Sequence, residues 1–155
     1  MTATMSRIVT RLAGGLALLI IVGTAASGEM LRIPPGKVVW KAAEGLPEGF
    51  FLGMLHEDQT TKGRAVLVMF PRGGRLPRHW HTAAERIVVI RGPIHLTDAD
   101  GTMTVLAQGG YAYTPGKAIH ATACVSKHGC LVYSATDGPF DLVRVDTQGK
   151  PVTTP

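Results

Sequence analysis

The chain has 155 residues, 45% of them hydrophobic and 17% charged, with a formal net charge of +5. That length allows one domain and little more. The lysines and arginines are scattered rather than gathered into a stripe, which argues against a nucleic-acid surface, and two cysteines are too few for a disulfide scaffold.

In chain order, the first element is a leader. Arg7 and Arg11 precede an apolar run over 12–22, which exits through Gly23, Thr24, Ala25, Ala26 and Ser27. This pattern predicts a secretory signal peptide over residues 1–27, formed as a short helix and removed to leave a mildly basic chain. The competing reading is an uncleaved anchor. The run falls short of the roughly 20 residues that a spanning helix needs, and Gly14 and Gly15 weaken it further. The predicted location is therefore periplasmic or secreted, with membrane contact only through this segment if it is retained.

From residue 36 to 146 no segment sustains an apolar period near 3.6. Short β-rich runs alternate instead with Gly, Pro and Asp punctuation. The predicted strands are 38–41, 50–55, 64–70, 76–81, 86–91, 94–97, 103–106, 111–114, 119–125, 131–135 and 140–145. Breaks fall at Pro71-Arg72-Gly73-Gly74, Asp98-Ala99-Asp100-Gly101, Gly109-Gly110, Pro115-Gly116 and Asp137-Gly138-Pro139. Many short strands with regular turns predict an all-β antiparallel sandwich or barrel. Residues 147–155 read as a loose tail. Phe70, Met69, Met103, Tyr111 and Tyr113 read as core or pocket lining. Arg72, Arg75 and Arg78 read as a solvated basic rim.

The chemistry concentrates at His79-Trp80-His81 and Glu85. Residues two apart on a strand share a face, so His79 and His81 project side by side, about 7 Å apart along the strand, within reach of one ion. Small residues at 82–84 permit a tight turn that returns Glu85 beside them. A further histidine, His120, follows the turn at Pro115-Gly116. Three imidazoles and a carboxylate suit one divalent transition ion (Zn, Cu, Fe, Mn, Ni or Co) better than Ca or Mg. Cys124 and Cys130 flank a turn-like run. They pair, or stay as buried thiols, and Cys124 has the strand parity of His120; the residues leave these readings open. His56, His95 and His128 read as ordinary strand or turn residues.

The stretch from Gly73 to Gly92 resembles the first cupin motif: Gly73, His79, His81, Glu85 and Gly92 fill its fixed positions. Gly109, Pro115 and His120 are similar to the second motif, with Lys117 where that motif has Gly and Cys124 where it has Asn. Residues 55–58 with Gly63 and Arg64 are similar to the lead-in of small single-domain cupins, including the cupin lobes related to zinc-binding anti-sigma factors. The resemblance implies a double-stranded β-helix, or jelly roll, with His79, His81, Glu85 and His120 holding a metal ion inside the barrel, a small-molecule ligand beside it, and a homodimer as in many cupins. Such a site permits oxygen-dependent chemistry on a small organic substrate, Lewis-acid chemistry, or binding and sensing without turnover. Apart from Glu85, no second carboxylate reads as a general base. No catalytic residue follows from the motifs.

Overall fold

The computed structural model describes residues 29–152. The expected signal peptide and residues 153–155 lie outside the described residues, and every element below falls within Arg32–Pro155. A short 3-10 turn at Pro35–Lys37 leads into strands β1 (Trp40–Ala42), β2 (Phe51–Glu57), β3 (Arg64–Phe70), β4 (Arg75–Trp80), β5 (Glu85–Arg91) and β6 (Pro93–Asp98). There follow β7 (Met103–Ala107), β8 (Tyr111–Thr114), β9 (His120–Cys124), β10 (Cys130–Thr136) and β11 (Val143–Arg144). Each predicted strand has a counterpart, because turn residues rather than apolar content mark where the chain must reverse.

The strands form two antiparallel sheets, ordered β1-β2-β3-β10-β5-β8 and β11-β4-β9-β6-β7. From β3 to β6, and again from β8 to β11, successive strands change sheet at every turn. The chain thus winds as a jelly roll, and each sheet turns its apolar face to the other. In β10 the inward positions are Cys130, Val132, Ser134 and Thr136. They meet Val89, Ile87, Ile94 and the Phe50–Phe70 pair, whose ring centroids lie 4.8 Å apart. Each fully buried aliphatic side chain of this kind contributes about 1.5–3 kcal/mol.

Cys124 and Cys130 are joined by a disulfide, with Cα atoms 5.7 Å apart. It ties β9 in one sheet to β10 in the other, which settles in favour of pairing the question the residues left open. A loop this short contributes about 2 kcal/mol through its effect on the unfolded chain.

Several expectations need correction. Tyr111, Tyr113 and Met103 are more than half exposed rather than core, because β7 and β8 are edge strands whose outer faces meet solvent. Tyr113 instead lies under Arg86, whose guanidinium pairs with Asp137 at 2.6 Å. Of that group only Phe70 is fully buried. The predicted last strand shrinks to Val143–Arg144, and residues 137–142 form a loop over one end of the barrel. Beyond β11 the chain turns back. Asp146 Oδ1 accepts from the amides of Gln148 and Lys150, and Val145 bridges Pro151.

Lys117 stands where the second motif has glycine, and it adopts φ +64°. Its amide donates to the His81 carbonyl at 2.7 Å, so the turn before β9 is held in the left-handed form against the preference of a side chain. Replacing Lys117 with Gly should relieve that strain and stabilise the protein by about 0.5–1 kcal/mol after the entropy cost of glycine. Denaturant titration of the two proteins checks this. A loss of stability of similar size would mean that the lysine is not strained.

Candidate metal centre

β4 delivers His79 and, one residue past its end, His81; β9 begins with His120; β5 begins with Glu85. Their convergence follows from register. His79 pairs with His120 across β4 and β9, while β5 lies in the facing sheet and brings Glu85 across the barrel interior. His79, His81 and His120 are all at least 95% buried. Their ring centroids are 4.2 Å (His79–His120), 4.8 Å (His79–His81) and 5.3 Å (His81–His120) apart. One ligand atom from each lies within 4.8 Å of the others, so these three histidines could hold a metal ion. Glu85 Oε2 comes to 3.7 Å from His81 Nε2 and 3.9 Å from His120 Nε2.

The hydrogen bonds decide which nitrogen of each ring faces inward. His79 Nδ1–H donates to the Pro77 carbonyl at 2.6 Å and His120 Nδ1–H to the Ala118 carbonyl at 3.0 Å. His81 Nδ1–H donates to the Asp141 carbonyl. With every Nδ1 proton committed to main chain, each Nε2 keeps its lone pair for the common centre. Glu85 is oriented in the same way: Ser134 Oγ donates to Oε1 at 2.6 Å, leaving Oε2 toward the histidines. The donor set and its orientation fit a transition metal ion.

Ser134, Asp141 and Phe140 were not read from the sequence as site residues. Ser134 had a signal, a polar residue on the inward face of an otherwise apolar alternation in β10. Asp141 and Phe140 had none, since they reach the site through the 137–142 loop. Asp141 Oδ1 and Oδ2 accept from the Thr82 amide (2.7 Å) and hydroxyl (2.6 Å), pinning that loop beside His81. Phe140 packs on the His81 ring at 5.1 Å. Arg72 and Arg75 are exposed, in keeping with a solvated rim, whereas Arg78 is half-buried and donates to the Ala99 carbonyl at 3.0 Å.

A cavity of about 60 Å³ adjoins the cluster. Its wall includes His79, His81 and Glu85 but not His120, and is otherwise largely aliphatic, with Val66, Val68, Ile87 and Val132 among its lining.

The chain belongs to the ChrR cupin-like domain family, whose model matches residues 28–140. No curated protein matches it in sequence. Among solved structures it resembles the polyketide cyclase RemF from Streptomyces resistomycificus (17% identity, 76% of this chain and 87% of that one, TM-score 0.66). It also resembles a candidate acetylacetone dioxygenase from Methylibium petroleiphilum PM1 (19%, 84% and 90%, 0.65). A third is an acetylacetone dioxygenase from Acinetobacter johnsonii (19%, 84% and 86%, 0.62). At these identities the likeness is one of fold, the cupin jelly roll.

Burial pushes the His79 imidazole down from 6.5 to about 3, with repulsion from His120 adding to the effect; burial also lowers His120. In the metal-free protein these rings stay neutral while their unfolded counterparts take up protons below pH 6.5. Stability should therefore be complete above that pH and be lost as pH falls toward about 3, at about 1.4 kcal/mol per pH unit for His79 alone. Urea midpoints between pH 7 and 4 check this, and His79→Gln should flatten the slope by about one proton. A wild-type midpoint that does not move with pH would contradict the buried, neutral assignment.

Proposed function

We propose that this chain is an exported cupin that holds one divalent transition ion on His79, His81, His120 and Glu85 and acts on a small organic molecule in the adjoining cavity by oxygen-dependent chemistry. The observation that carries this is the alignment of three buried imidazoles, each with Nδ1–H spent on a backbone carbonyl and Nε2 turned inward. A bound ion would supply Lewis acidity and open coordination positions for substrate and O₂.

The chain's own groups do the rest. The Ser134 hydroxyl holds the carboxylate of Glu85 in place. Phe140 covers one side of His81, and the aliphatic wall excludes water and strengthens every polar interaction inside. Support for the oxygen-dependent reading comes from fold neighbours described as acetylacetone dioxygenases. The leader over 1–27 supports export, as does the disulfide, a bond that persists in oxidising compartments.

Purified protein should contain close to one equivalent of metal per chain by elemental analysis and consume O₂ with a member of a panel of β-diketones, catechols and thiols. Turnover should disappear in His81→Ala. Tight metal with no turnover on any compound would instead make the chain a binding or sensing module, and absence of metal from the native, exported form would contradict the proposal outright.

Asp141→Ala should weaken zinc affinity by about 10–100-fold, because it frees the loop whose carbonyl orients His81. A competition titration with a chromogenic chelator reads this directly. An unchanged affinity would show that the loop does not position the ring.

A further inference from the structure

Arg64 is the one lysine or arginine in the cavity lining among the described residues. Register sets it level with the candidate metal centre. Glu57 pairs with Arg64 across β2 and β3, Ala65 with Ala135 across β3 and β10, and Thr136 with Glu85 across β10 and β5. Arg64 and Thr136 therefore stand side by side, and the Arg64 amide donates to Thr136 Oγ1. Neighbouring strands lie about 4.8 Å apart, so Arg64 and Glu85, two strands apart on one inward face, have main chains about 10 Å apart.

The residue that holds this arginine comes from a bulge in β2. Its register to β3 shifts between Met54 and His56. Without that shift His56 would oppose Arg64; with it, Glu57 does. Arg64 Nε donates to Glu57 Oε2 at 2.9 Å, and Lys62 Nζ stands 3.9 Å from Glu57 Oε1. One carboxylate thus serves two cations, and the group keeps a positive charge. Contact through Nε alone fixes the side chain, yet it leaves Nη1 and Nη2 with no protein partner among the described residues. That end of a guanidinium presents two parallel N–H groups, which match a carboxylate. The hydroxyls between Arg64 and the histidines do not compete for it. Thr136 Oγ1 donates to the Gly138 carbonyl at 2.8 Å, and Ser134 Oγ donates to Glu85.

We propose that Arg64 is the anion-recognition residue of this cavity, and that the ligand is a short-chain carboxylate whose far end carries the donor that meets the histidines. The inference rests on the metal reading above, which supplies the centre for that far end. The ligand then lies across the barrel mouth over Thr136, with its carbon chain against Met54 and Val66, which also line the cavity. A neutral ligand gains nothing from the guanidinium, whereas a carboxylate gains charge-assisted hydrogen bonds that amount to about tenfold or more in affinity.

The test titrates succinate and glutarate, each against its half-amide, calorimetrically into the zinc-loaded protein. At one of the two chain lengths the diacid should bind about tenfold tighter than its half-amide, or more. In Arg64→Gln that preference should fall to the small statistical advantage of two equivalent ends, while zinc affinity stays at the wild-type level. Arg64→Lys, which keeps the charge and loses the fork, should fall between the two. Diacids that bind no tighter than their half-amides at both lengths overturn the inference, as does a preference that Arg64→Gln leaves intact. If Arg64→Gln does not fold, an undiminished preference in Arg64→Lys overturns the role of the fork. Zinc titration of the same preparations keeps the two readings apart. Failure of the wild-type protein to take up zinc overturns the metal reading and this one with it, whereas zinc uptake without the Arg64-dependent preference overturns this one alone.

Discussion

Taking three imidazoles out of water is the constraint on which the rest of the site depends. Each ring brings two nitrogens into a barrel interior that is otherwise mostly aliphatic, and an unmet polar atom there costs about 1–3 kcal/mol. The chain meets half of that demand itself, by giving every Nδ1–H a backbone carbonyl. The other half is left turned inward on a common point, with the Glu85 carboxylate alongside. Neutral rings are what this arrangement requires, and the depression of the His79 and His120 pKa values by burial expresses the same cost from the side of the proton.

The carbonyls that orient the rings come from different parts of the chain. Pro77 and Ala118 each lie two residues before the histidine they serve, so local strand geometry sets His79 and His120. His81 depends on Asp141, sixty residues away, and hence on the clasp between the Asp141 carboxylate and Thr82. One ring of the cluster is thus tied to a loop rather than to a sheet. That loop also carries Phe140 into the cavity wall, so the position of His81 and the shape of the cavity are set together.

Much of this was legible in the residues. Turn chemistry located the strands because Gly, Pro and Asp at reversals act locally, and the two-residue period of a strand put His79 and His81 on one face without reference to anything distant. Legibility ended where long-range contacts decide the outcome. Phe140 has the composition of a strand residue, yet the loop clasp holds it out of β11. Tyr111 and Tyr113 look like core side chains, but their strand is at a sheet edge, and edge position follows from topology rather than composition. Cys124 shared the parity of His120, and only the fold shows that it is spent on Cys130. Lys117 marks a milder case, in which the turn keeps its left-handed form with an unfavourable residue because the bond to the His81 carbonyl holds it there.

X-ray absorption at the zinc edge of the loaded protein addresses the central claim most directly. The account predicts a shell of about three imidazole nitrogens near 2.0–2.1 Å, completed by oxygen at about 2.0–2.2 Å, with the imidazole scattering reduced by about one ring in His120→Ala. A shell made only of oxygen, or one that His120→Ala leaves untouched, would place the ion elsewhere and contradict it.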